Sequence, residues 1–333
     1  MNYILNKENE IYYECGWSSD NALFLSLNGE KFVITDSRYT LDAKENAKAE
    51  VIEAGDLVKK ARELILKKRI KKLKIDFKNW SEESIKKLSL VVFLQNSPDF
   101  SFKKRLIKTP KELEIIKKAV KKGAKAFDEF AKVIEEGIDE YELSFRFKEK
   151  LTKRGKRDLS FEPIVAINEN AAKPHAVVTA KKLKKGDLLL LDAGIKYKRY
   201  CSDRTRTVFT GENITMGKNQ KFPKHIQKVY DIVLKAQEKA IKSVKVGMRA
   251  CELDKIARDV IEDGGYGKYF VHSLGHGIGL DIHECPFINS RNELRLKEGM
   301  VFTIEPGIYL PGEFGIRIED MITINYDGKA EVL

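Results

Sequence analysis

Apolar and polar positions alternate in short runs over the first third of the chain. Ala22 to Thr40 reads ALFLSLNGEKFVITDSRYT, two strand-like runs flanking Asn28-Gly29, a pair that favours a tight hairpin turn. Helical periodicity follows in 56–68 and 82–88, and Leu73 to Phe77 and Leu90 to Leu94 read as further strands. This pattern predicts an α/β domain that carries no catalytic cluster.

The pattern then lengthens. Thr109-Pro110-Lys111-Glu112 reads as a helix start, with Thr and Glu at capping-box spacing and Pro where its missing N–H costs nothing. A domain boundary just before it gives 1–108 and 109–333. Apolar residues at Leu113, Ile116, Val120, Phe127, Phe130 and Val133 predict a long amphipathic helix that Gly137 ends. The same design returns 110 positions later: Gly137, Glu142, Leu143 and Gly155 correspond to Gly247, Glu252, Leu253 and Gly265, and Ala126 to Ala236. The second domain therefore reads as two related halves, which would place a site between them.

Composition narrows the function classes. A chain of 333 residues with 42% hydrophobic and 34% charged side chains is expected to be an ordinary globular protein of two domains. The N-terminal MNYILNKENEIYYECG and the runs Leu90 to Leu94 and Leu188 to Leu191 are too short for a signal peptide or a membrane span, so a cytoplasmic protein with no membrane partner is expected. Cys15, Cys201, Cys251 and Cys285 form no CxxC pair and read as free thiols. The net charge of +12 raises nucleic acid as a partner, but the lysines fall as pairs among acidic residues, Lys59-Lys60 and Lys117-Lys118 for example. That is the pattern of solvated helix faces, and with no recognition helix or stacking run no nucleic-acid partner is expected.

Candidate chemistry concentrates in the second domain. Leu188 to Gly194 (LLLLDAG) and Tyr200 to Phe209 (YCSDRTRTVF) read as a β-hairpin; a turn centred on Tyr197-Lys198 sets Asp192 opposite Asp203, with Cβ atoms about 5 Å apart. A second hairpin, Val301 to Gly307 and Gly315 to Asp320, centred on Gly312, sets Glu305 opposite Glu319. Facing carboxylates within apolar strands repel unless a cation lies between them. One such acid alone reads as a solvated or salt-bridged side chain; all four together imply a metal. A further ligand is sought in 272–286, HSLGHGIGLDIHECP, which holds three of the five histidines, with glycines on both sides of His276 that let the backbone approach a ligand.

That segment resembles the signature of the pita-bread metallopeptidases, the family of aminopeptidase P, prolidase, methionine aminopeptidase and creatinase, and the resemblance covers essentially the whole chain. Ile316-Arg317-Ile318-Glu319-Asp320 is similar to the proline-specific branch, and Ile34-Thr35-Asp36-Ser37-Arg38-Tyr39 to the companion domain of that branch. The resemblance implies a creatinase-type α/β N-terminal domain and an α+β pita-bread catalytic domain with an internal pseudo-two-fold duplication. It places the metal ligands on Asp192, Asp203, His276, Glu305 and Glu319, with Asp203 and Glu319 bridging. Two divalent ions are implied, Mn²⁺ as first choice and Co²⁺, Fe²⁺ or Zn²⁺ as alternatives. Phe161 to Ala166 leading to Pro174-His175 matches the segment that brings another active-site histidine. The same resemblance makes His175, His272, His283 and Arg317 substrate contacts, and His175, His283 and Glu305 the catalytic groups.

The implied activity is hydrolysis of an N-terminal Xaa-Pro bond by hydroxide shared between two ions ~3.5 to 4 Å apart. A strict Xaa-Pro dipeptidase is the alternative, and a non-catalytic binding protein on the same fold the remote one. The substrate is a proline-containing di- or oligopeptide, and the family implies a homodimer, with the N-terminal domain expected to limit access. One departure from the family is the polar stretch 212–224, longer than usual before the next helix.

Overall fold

The computed structural model describes residues 1–211 and 214–333, and the chain folds as two compact units, Met1–Lys104 and Arg105–Leu333. In the first unit the chain runs β1 (Tyr3–Leu5), α1 (Glu8–Cys15), β2 (Ala22–Leu27), β3 (Glu30–Thr35), α2 (Thr40–Asn46), β4 (Glu50–Glu53), α3 (Leu57–Lys67), β5 (Lys72–Ile75), α4 (Glu82–Ser89), β6 (Phe93–Asn96) and α5 (Phe100–Arg105). Asn28 and Gly29 take left-handed φ of 51° and 88°, the geometry of a two-residue hairpin, and Leu27 pairs with Glu30 across it. The strands order as β4-β3-β2-β1-β5-β6 in one mixed sheet. Ile4, Leu25 and Ile65 are buried in one cluster against it and Leu5, Phe24 and Val33 in another, so the sheet is covered on both faces. The strand read at Leu90 to Leu94 begins only at Phe93, because Val91 N–H bonds back to the Leu88 carbonyl (3.1 Å) and closes α4 with a turn.

The second unit opens with α6 (Pro110–Ala131) and α7 (Glu140–Thr152). The Thr109–Glu112 capping box is present in both directions. Helix α6 stops at Ala131, short of Gly137, since Val133 N–H turns back to Phe130 (2.9 Å) and Gly137, at φ 89°, lies in the turn that bonds Leu183 (2.8 Å). Next come β7 (Ile164–Ile167), β8 (Leu188–Asp192), β9 (Lys196–Tyr197), β10 (Tyr200–Cys201) and β11 (Thr205–Phe209). The second half repeats the plan: α8 (Lys224–Ser243) and α9 (Ala250–Asp263), then β12 (Gly275–Gly277), β13 (Glu284–Ile288), β14 (Val301–Ile304), β15 (Gly307–Leu310), β16 (Phe314–Arg317), β17 (Asp320–Ile324) and β18 (Ala330–Val332).

The duplication read from the sequence is visible residue by residue. Gly137 and Gly247 share left-handed φ (89° and 86°), as do Gly155 and Gly265 (78° and 87°). Leu143 and Leu253 are both fully buried. The halves pack through a strand buried on both sides: Leu189 and Leu191 face Phe127, Phe130 and Phe147 of the first half, while Leu188 and Leu190 join the core of the second. A continuous leucine run, not an alternating one, is what such a strand requires. Phe147 meets Phe127 edge-on (4.9 Å) and stacks on Phe130 (4.5 Å), contacts that contribute about 0.5–1.5 kcal/mol each beyond burial.

Candidate metal centre

The site is built where the strands of the two halves end. Asp192 closes β8, with its Cα opposite Thr205 on β11 and Ile164 on β7. The expected pairing of Asp192 with Asp203 is therefore corrected by one turn position: the hairpin turns at Lys198-Arg199, both in left-handed φ (49° and 69°), and Tyr197 pairs with Tyr200. Gly194 lets this register form, because a Cβ there would lie 1.7 Å from the Ser202 carbonyl oxygen. The slip moves the pairing by two residues along one strand, an even number, so Asp203 stays on the face of Asp192.

The second hairpin has the expected register. Ile304 pairs with Asp320 across β14 and β17, and Gly307 with Arg317 across β15 and β16, so Glu305 and Glu319 stand opposite each other in the gap between the two ladders. In that gap Glu305 N–H bonds the Leu274 carbonyl (2.8 Å) and Glu319 N–H the Thr205 carbonyl (3.2 Å), which ties both acids to neighbouring strands. His276 sits mid-way along β12. Its flanking glycines serve packing more than ligand approach: a Cβ at Gly275 would lie 1.9 Å from Thr303 O and one at Gly277 2.2 Å from Cys285 O. Only glycine lets β12 lie this close to β14 and β13.

These elements group three of the five expected ligands. One donor atom each from Asp203, His276 and Glu319 falls within 4.8 Å of the others. His276 Nε2 is 3.4 Å from Glu305 Oε1 and 3.6 Å from Asp203 Oδ2. Thr205 Oγ1 donates to Glu319 Oε2 (2.7 Å), Thr303 Oγ1 to Glu305 Oε1 (3.1 Å), and Arg317 Nη2 to Asp192 Oδ2 (2.6 Å). The opposite oxygens, Asp192 Oδ1, Asp203 Oδ1 and Glu319 Oε1, are buried with no hydrogen-bond partner among the described residues. Buried polar groups are normally paired, so three unpaired carboxylate oxygens on acids that line one cavity fit a cation. Four carboxylates and one imidazole are the donor set of a divalent ion, so the residues present fit the metal.

The electrostatics agree. Burial, then Glu319, Asp192 and Glu305, push the Asp203 carboxyl well above the usual range, and burial followed by Glu305 and Asp192 does the same to Glu319. Glu305 is pushed up to about 7, first by burial. Burial holds His276 below its ordinary value, leaving its imidazole neutral and able to ligate. Burial opposes the charge of Arg317, but Tyr309, Asp192 and Glu305 outweigh it and hold the guanidinium well above its ordinary value.

A cavity of about 780 Å³ opens onto the acids, walled by His175, His272, His283, Phe161, Ile164 and Phe287. All the histidines expected at the site line it; His225 instead lies against Phe314. His283 stacks edge-on to His276 (4.4 Å), and burial, His276 and His175 lower its pKa. His272 Nε2 lies 2.8 Å from Tyr309 Oη. Arg317 is engaged by protein groups: besides Asp192 it donates to Tyr309 Oη (2.8 Å), Thr205 Oγ1 (3.0 Å) and the Pro174 carbonyl (3.0 Å). Sequence reasoning missed Thr205, Thr303 and Tyr309. The two threonines carried a signal, since each lies two residues from an acid, Asp203 or Glu305, and so on its side of an extended chain. Tyr309 carried none.

The family model for metallopeptidase family M24 matches residues 114–325. A Xaa-Pro dipeptidase of Pyrococcus furiosus is 37% identical over 326 residues, covering 96% of this chain and 89% of that one. Among solved structures, a Xaa-Pro dipeptidase from Bacillus anthracis superposes with TM-score 0.91 at 33% identity, covering 99% of this chain and 92% of that one. An X-Pro aminopeptidase from Thermotoga maritima MSB8 gives 0.89 at 34% identity, covering 99% and 94%.

Proposed function

This chain belongs to metallopeptidase family M24, and on that premise we propose that it removes the N-terminal residue from peptides in which proline follows. It is a metallo-exopeptidase on the pita-bread fold. One observation carries the reading: Asp192, Asp203, His276, Glu305 and Glu319 line one cavity together with His175, His272 and His283.

Those five residues would hold two divalent ions; Mn²⁺ is the proposed ion. When bound, the ions supply Lewis-acid polarisation of the scissile carbonyl and lower the pKa of water. The chain's own residues do the rest. Thr303 orients Glu305, which takes the proton of the attacking water and passes it to the departing proline nitrogen. His283 and His175 face the cavity, where a ring N–H can donate to the developing oxyanion. Arg317 and Thr205 hold the carboxylates of Asp192 and Glu319 in place.

Proline selectivity has a physical basis. The Xaa-Pro bond lacks an N–H, so the strand-like pairing by which most peptides are held is lost, and a shaped pocket replaces it. The acids attract the substrate's free α-amino group, which confines cleavage to the first residue. We further propose a cytoplasmic homodimer.

A strict dipeptidase is equally supported, since relatives of both names match over most of their length. Matched Ala-Pro and Ala-Pro-Ala peptides, assayed with Mn²⁺ and separately Co²⁺ against Asp203→Ala as control, divide the two. Cleavage of the tripeptide marks an aminopeptidase, and cleavage of the dipeptide alone a prolidase. If wild type and control are equally inactive on both, the Xaa-Pro assignment fails.

A further inference from the structure

The polar stretch 212–224 is not accounted for by the ligand set. Glu212 and Asn213 lie outside the described residues, but Met216 and Lys218 are fastened to Arg204, Arg206 and Asp320. Met216 is buried, and its carbonyl accepts from Arg204 Nη2 (3.1 Å) and Arg206 Nε (3.2 Å). Tyr230 Oη donates to the Lys218 carbonyl (2.8 Å). Lys218 Nζ donates to Gln237 Oε1 (2.7 Å) and pairs with Asp320. This is no surface ion pair, since Gln237 is fully buried and Asp320 8% exposed.

From Asp320 the contacts lead directly to a proposed ligand. Asp320 Oδ1 accepts from Arg206 Nη2 (2.6 Å), while Arg206 Nη1 grips the carbonyls of Glu319 (2.6 Å) and Thr205 (2.8 Å). Thr205 Oγ1 in turn donates to Glu319 Oε2. Without Lys218, Asp320 Oδ2 would keep, among the described residues, only the longer bond from Gln237 Nε2 (3.2 Å), and the carboxylate that aims Arg206 could rotate.

We propose that 214–222 is a strap that positions the metal centre, and that Lys218 is its positioning residue, fixing Glu319 through Asp320 and Arg206. This rests on the reading of Glu319 as a metal ligand. Outer partners that orient ligands affect metal affinity itself, typically by 10- to 100-fold.

The test is titration of Mn²⁺ alone into the metal-free full-length protein, wild type beside Lys218→Met and Lys218→Arg, with thermal unfolding of each metal-free form. The Lys218 side chain is 28% exposed, so both variants should fold. Lys218→Met is expected to weaken Mn²⁺ binding about tenfold in a metal-free form that still folds, with a lower Tm because Asp320 loses a partner, and Lys218→Arg to restore most of the affinity. The proposal is overturned if Lys218→Met binds Mn²⁺ as wild type does, or if Lys218→Arg is as weak as Lys218→Met. Wild type that binds no Mn²⁺ overturns the reading of the metal centre instead.

Discussion

Asp203 and Glu319 are almost fully buried, each with one oxygen unpaired among the described residues, and both carboxyls are pushed toward the neutral form by burial and by neighbouring acids. Such acids weaken a fold unless a cation joins them. The histidines divide differently. His276 lies within reach of two acids, whereas His283 stacks on His276 and faces the cavity. Replacing His283 with Ala should therefore lower kcat by roughly 10²–10³-fold, the range for a lost acid–base or oxyanion group, and leave metal content near that of wild type. Assays of kcat and metal content on one preparation check this; equal loss of both would make His283 a ligand.

Among the elements, β12 shows most clearly how local sequence positions the site. Gly275 and Gly277 let the strand press between β13 and β14, which sets the His276 ring among the acids. Gly275→Ala drives a Cβ into the Thr303 carbonyl, and a backbone oxygen cannot swing aside. The substitution should cost about 3 kcal/mol, the upper part of the range for overpacking, visible as a lower urea midpoint together with weaker metal binding. Wild-type stability would contradict this packing argument. The two ligand hairpins show what could be read beforehand. The second was legible because Gly312 supplies the left-handed residue (φ 78°) that fixes the turn. The first was misplaced by one position because its left-handed residues are Lys198 and Arg199, which announce nothing in the sequence. Face parity survived that slip, so both aspartates still fall on one face. The buried network of Arg206, Asp320, Gln237 and Lys218 was not legible, since it joins residues from four separate segments and follows no periodicity.

For the molecule as a whole, the duplication places two sets of strand ends against each other, and the acids meet there. The consequence for stability can be read with pH. Glu305 rises from its ordinary 4.5 to about 7 in the metal-free fold. The folded chain thus keeps a proton that the unfolded chain releases above about pH 4.5, so its stability falls as pH rises toward 7. Asp203 and Glu319 shift in the same direction and add to the effect. A bound cation displaces those protons and stabilises the ionised acids. The rise in Tm on adding Mn²⁺ should accordingly be larger at pH 7 than at pH 5, as scanning fluorimetry can show; a rise that does not depend on pH would mean that these acids do not meet the metal.

Catalysis is expected to depend on metal held on these residues. The most direct test of this dependence is release of free alanine from Ala-Pro and Ala-Pro-Ala by chelator-treated protein, titrated with Mn²⁺ beside Asp203→Ala. Wild type should be silent without metal and rise to a plateau near two ions per chain, while the variant stays silent throughout. Alanine release without metal, or equal release by Asp203→Ala, would contradict it.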